Sequence, residues 1–97
     1  MIKKETRREI NKQLEEIGAG RTPDGYVLDL ELENFSLCRV WINESFREIK
    51  GDTAYFYYSL EFEYNDVSGN HTIEINRGFS EFESLYKCIT DFKEFAR

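Results

Sequence analysis

Hydrophobic positions recur along this chain at two spacings. Near the N-terminus Ile10, Leu14 and Ile17 fall at i, i+4 and i+7, and Ile2 extends the stripe. That period predicts an amphipathic helix over residues 3–17, with Gly18 as its stop. From residue 26 the period drops to two. Tyr26, Leu28, Leu30 and Leu32 face one way, and Val27, Asp29, Glu31 and Glu33 the other. This predicts a half-buried strand over 26–33. LCRVWIN repeats the alternation, with Cys38, Val40 and Ile42 on one side and Leu37, Arg39 and Trp41 on the other. The pattern slips around residues 43–45 and resumes in FREI, which predicts one long strand carrying a bulge. A turn follows at Lys50 to Thr53, then a third strand over 54–64 within YFYYSLEFEYND. NDVSGN reads as a turn-rich loop, and HTIEIN as a shorter fourth strand with Ile73 and Ile75 inward. GAGRTPDG, which holds the single proline Pro23, reads as loop.

The last segment returns to the helical period. Phe82, Leu85, Tyr86, Ile89, Phe92 and Phe95/Ala96 line one face, and Ser80 with Glu83 has the spacing of a capping box. Glu81 and Glu83 lie early and Lys93 and Arg97 late, as the helix dipole prefers. The order α-β-β-β-β-α predicts a single α+β domain over residues 1–97. Its expected architecture is a two-layer sandwich. A four-stranded antiparallel meander carries the N-terminal and C-terminal helices on one face and leaves the other open.

Composition supports a folded core and adds a charge asymmetry. Of 97 residues, 40% are hydrophobic and 15% aromatic, too many rings for a disordered chain. The net charge is −6, yet residues 1–12 hold Lys3, Lys4, Arg7, Arg8 and Lys12 against Glu5 and Glu9. Lys4, Arg8 and Lys12 stack at i, i+4 spacing on the predicted helix, with Glu5 and Arg8, Glu9 and Lys12, and Lys12 and Glu16 as local pairs. Cations at this end oppose the helix dipole, and propensity does not explain them. The acidic remainder argues against direct nucleic-acid binding and favours a basic protein surface. No apolar run is long enough to span a membrane, and MIKKETRREI lacks the apolar segment of a secretory signal. Cys38 and Cys88 make no disulfide framework, so free thiols and a cytoplasmic setting are expected.

The predicted register divides the third strand. Phe56, Tyr58, Leu60, Phe62 and Tyr64 face the helices, while Tyr55, Tyr57, Ser59, Glu61 and Glu63 face outward. Asp29, Glu31, Glu33 and Trp41 join them from the earlier strands. Acids two apart on a strand stand ~6.6–6.8 Å apart on one side, a charge rhythm roughly similar to a nucleic-acid backbone. The candidate partner-binding residues are therefore Asp29, Glu31, Glu33, Trp41, Tyr55, Tyr57, Glu61 and Glu63.

Catalytic signals are sparse. His71, the only histidine, has no evident nucleophile beside it, and the glycines form no phosphate loop. Pro23 and Asp24, followed by Glu48, Ile49 and Lys50, resemble the skeleton of the PD-(D/E)xK nucleases. That resemblance implies a divalent ion held by Asp24 and Glu48 with Lys50 assisting a water. The helix–strands–helix order is similar to that of the double-stranded RNA-binding domain. That family presents a basic N-terminus on its last helix, and here this end is Ser80, Glu81, Phe82 and Glu83.

The expected function is a small acidic non-enzymatic protein, without cofactor or metal, that binds and inhibits a more basic protein or protein–nucleic-acid complex. In size and charge it resembles phage-encoded inhibitors of host defence, such as anti-CRISPR proteins and DNA mimics. A toxin-neutralising immunity protein has the same signature, and the nuclease is the enzymatic alternative. The chain is expected to be a monomer or homodimer.

Overall fold

A computed structural model describes residues 4–96. The elements are α1 (Arg7–Glu16), β1 (Gly20–Thr22), β2 (Gly25–Asp29), β3 (Leu37–Lys50), β4 (Thr53–Asp66), β5 (Gly69–Phe79) and α2 (Phe82–Phe95). The strands form one antiparallel sheet in the order β1-β2-β3-β4-β5. This is the two-layer α+β architecture that the periodicity predicts, with five strands in place of four. The added strand, β1, lies in the segment read as loop. Three residues are too few to display an alternation, and Pro23 and Asp24 mark only the tight turn into β2. The predicted loop 65–70 likewise contracts to a turn at Val67 and Ser68, because β4 and β5 pair as far as Asp66 and Gly69.

Both helices pack on one face of the sheet. Ile10 and Leu14 from α1 and Leu85 and Ile89 from α2 join Val40, Ile42, Tyr58, Leu60 and Phe62 in the buried core. The register predicted for β4 holds, since Tyr58, Leu60 and Phe62 are each at most 1% exposed. The β3 bulge falls between Glu44 and Phe46, where the alternation slips. Phe95 and Tyr86 depart from the expectation. Phe95 is 82% and Tyr86 37% exposed, while Phe82, Cys88 and Phe92 flank the buried Leu85 and Ile89.

The helix termini are built differently from the prediction. Helix α1 begins at Arg7, so Lys4 precedes it and the expected Lys4, Arg8, Lys12 row is not helical throughout. A capping box does form, at Thr6 and Glu9. Thr6 Oγ1 accepts from Glu9 N at 3.2 Å, and Glu9 Oε2 accepts from Thr6 N at 3.1 Å. Glu9 is thereby drawn away from Lys12, and Glu5 is engaged by Gln13 and Phe82 in place of Arg8. At α2 the N-cap is Glu81 and no side chain of the cap donates or accepts there. Instead Glu5 Oε1, distant in sequence, accepts from Phe82 N at 2.6 Å.

Strands β3 and β4 outrun their neighbours. The β2 pairing stops at Asn43, and the β5 pairing stops at Tyr58. Residues 46–50 and 53–57 therefore continue as a two-stranded ribbon. Fourteen residues at ~3.3 Å each span roughly 45 Å, which accounts for the 50 Å long axis of a molecule otherwise 28 by 22 Å.

Candidate functional site

The uncovered sheet face is set by strand alternation alone. Residues beside each core residue point away from the helices, and the register aligns them into rows. One row runs Val27, Trp41, Glu61, Glu74, and the next runs Asp29, Arg39, Glu63, Thr72. Trp41, Glu61 and Glu63 are half-buried on this face.

Trp41 is held in place by polar neighbours. Its Nε1 donates to Glu63 Oε1 at 3.2 Å, and the Arg39 guanidinium lies 5.8 Å from its ring centre. Arg39 Nε in turn lies 3.2 Å from Asp29 Oδ1. Glu63 also accepts from Asn70 Nδ2 at 3.3 Å. Glu61 and Glu74 differ from these. They stand directly opposite each other on β4 and β5, and no ion pair among the described residues reaches either. Like charges directly opposite in a sheet are destabilising.

The same side of the ribbon carries aromatic rings. Phe46 and Tyr57 stack with centroids 4.3 Å apart and planes 9° from parallel. Phe46 remains 56% exposed. Tyr55 lies opposite Glu48. Lys4 crosses to this side, with Nζ 2.7 Å from Glu48 Oε1 and 5.7 Å from the centre of the Tyr57 ring. Hydrogen bonding to Lys4, with further help from Lys50 and the Tyr57 hydroxyl, holds the Glu48 carboxyl below its usual range.

Of the eight sequence-predicted residues, Asp29, Trp41, Glu61 and Glu63 come together on the open face, and Tyr55 and Tyr57 sit on the ribbon. Glu31 and Glu33 do not join the strand row. The strand ends at Asp29, and these two acids lie in the following loop, lining a concavity of about 540 Å³ with Lys93 and Ala96. Sequence reasoning missed Glu74, although its place between the inward Ile73 and Ile75 marks it as outward.

The nuclease skeleton is not assembled. Asp24 adjoins Glu44, whose amide donates to the Asp24 carbonyl at 2.9 Å, and Glu48 lies four residues further along β3, roughly 13 Å away. No group of three metal-ligating side chains occurs among the described residues. Contrary to the sequence reading, His71 does have a hydroxyl beside it: on β5, opposite Tyr64, its Nε2 lies 2.7 Å from Ser68 Oγ and 3.0 Å from Asp66 Oδ1. Serine and aspartate meet the same ring nitrogen, whereas a Ser-His-Asp triad needs them on opposite nitrogens. Cys38 and Cys88 are free, and burial pushes both thiols up. No described helix is long and apolar enough to cross a membrane.

No protein-family model, no curated protein and no solved structure matches this chain.

Proposed function

We propose that the protein is a non-enzymatic binding module that docks a basic partner protein on its uncovered sheet face. The observation that carries this reading is the Glu61 and Glu74 pair. Two carboxylates facing each other beside Trp41, with no cation paired to them among the described residues, cost the free protein stability. A Lys or Arg from a partner, laid between them, removes that cost and gains two charge-assisted contacts. Trp41 and the stacked Phe46 and Tyr57 rings supply rigid contact area on the same side. The reading extends to inhibition of a nucleic-acid-handling complex, in which this acidic face occupies a site meant for phosphates.

The test is affinity capture from the native host with the wild-type chain and with Glu61→Lys and Glu74→Lys. The wild type is expected to retain a basic protein that elutes as salt rises, and both reversals are expected to lose it. Displacement of nucleic acid from the captured partner tests the inhibitory part. Retention of the same partner by both reversals overturns the site.

A further inference from the structure

On the opposite side of the sheet, α1 and the β1–β2 hairpin enclose a cleft of about 670 Å³. Arg7, Arg8 and Lys12 from the helix and Arg21 from the hairpin bring four cations to its walls. Two of them are already paired. Arg7 Nε lies 2.7 Å from Glu44 Oε1, and Arg21 Nε lies 3.8 Å from Glu15 Oε1. No ion pair among the described residues reaches Arg8 or Lys12. Arg7 and Arg8 also occupy the first turn of α1, where the helix dipole repels cations. The arrangement is therefore unfavourable by itself and becomes favourable once an anion sits between them.

A second observation points the same way. Tyr26 lines the cleft and is 3% exposed, yet its hydroxyl has no hydrogen-bond partner among the described residues. The Thr22 hydroxyl, from the same hairpin, is buried and unpartnered too. The neighbouring tyrosine shows the contrast, for Tyr58 donates to Asn11 Oδ1 at 2.9 Å. A buried hydroxyl left without a partner is rare in a native fold, and one beside a cleft is available to a ligand or an ordered water. Asp24, at the hairpin turn, adds one carboxylate to the rim that no ion pair among the described residues reaches. It disfavours a bare anion beside it and favours a hydrogen-bond donor.

We infer that this cleft binds a small phosphate ester bearing hydroxyl groups, its phosphate held by Arg8, Lys12 and the Tyr26 hydroxyl and a hydroxyl directed to Asp24. The volume falls within the usual range for small-molecule sites. The cleft lies on the helix-covered side, so its occupancy is independent of partner docking on the open face.

The experiment is an amide chemical-shift titration with ribose 5-phosphate, inorganic phosphate and a short thymidine oligomer, each against a sodium chloride control of equal ionic strength. Ribose 5-phosphate is expected to shift Arg8, Lys12, Thr22 and Tyr26 saturably and to bind more tightly than inorganic phosphate. The double change Arg8→Ala with Lys12→Ala is expected to weaken it by about tenfold or more. Tyr26→Phe is expected to weaken it several-fold while raising the thermal midpoint of the free protein, because it removes an unpartnered buried hydroxyl. Glu61→Lys is expected to leave it unchanged. Shifts no larger than the chloride control overturn the proposal, as does unaltered binding in the double variant. Binding of the oligomer without binding of ribose 5-phosphate overturns the small-ligand assignment. A lowered midpoint in Tyr26→Phe overturns the role given to that hydroxyl.

Discussion

Glu5 is 9% exposed and joins three parts of the chain. Its Oε1 accepts from Phe82 N at 2.6 Å, its Oε2 accepts from Gln13 Nε2 at 2.9 Å, and its own amide donates to the Ser80 carbonyl at 2.9 Å. The carboxylate thus caps the positive end of α2 and ties it to α1. Glu5→Ala is expected to cost about 1–3 kcal/mol in urea denaturation, and Ser80→Ala less. Local spacing pointed to Ser80, because a reciprocal box within one helix is the short-range signal. A cap donated from 77 residues away has no such signal. Acid sensitivity is a residue-scale property as well. Glu48 is lowered chiefly by hydrogen bonding to Lys4, and Asp66 chiefly by hydrogen bonds from Ser68. A carboxyl lowered on folding stabilises the protein at neutral pH. That contribution is lost as pH falls from about 4 through the lowered folded value. Lys4→Met is therefore expected to make the thermal midpoint fall less steeply as pH drops below about 4, read by calorimetry.

Among the elements, the ribbon of β3 and β4 has the least support. It keeps its cross-strand bonds but no third strand among the described residues pairs with it; Arg7 of α1 reaches it at Phe56, with its guanidinium 4.9 Å from the ring centre, and two-stranded ribbons are marginal in water. Ile49 at its tip is 64% exposed. Backbone amides of residues 46–57 are expected to exchange faster than those of residues 38–42 and 60–64, measured by hydrogen exchange. The outcome that contradicts this is uniform protection along both strands. At the other edge, the β1–β2 hairpin needs Gly25, since a Cβ there would collide with the Ile42 carbonyl oxygen across the strand pair. Gly25→Ala is expected to destabilise by about 1–3 kcal/mol. Alternation made β2, β3 and β4 legible, and the slip at Glu44 marked the bulge. The three-residue β1 was not legible, because the same Pro and Gly signals serve a tight hairpin and an open loop.

For the whole molecule, unpaired charge of opposite sign lies on the two sides of one sheet. No ion pair among the described residues reaches Glu61 or Glu74 on the open face, or Arg8 or Lys12 on the helix side, where Asp24, Glu15 and Glu44 also line the cleft. Glu74→Lys converts a like-charge pair into an opposite-charge pair. It is expected to stabilise the free protein by about 0.2–1 kcal/mol while abolishing capture of the basic partner. A variant that is more stable and fails to bind is not explained by misfolding. If Glu74→Lys destabilises the protein, the two carboxylates are not in conflict and the proposed docking face loses its support.

Local pattern settled the element types apart from β1, the fold class and the inward set on β4. Those follow from the two side-chain periods, and periodicity is written residue by residue. Tertiary structure decided what the periods leave open. It chose which acids meet: the register set Glu61 against Glu74, while the end of β2 at Asp29 left Glu31 and Glu33 in a loop. It brought Glu5 to the start of α2, and it turned a basic N-terminal stretch into one wall of a cleft. Each of these depends on contacts between residues far apart in sequence, whose energy is fixed by packing and register rather than by neighbours along the chain.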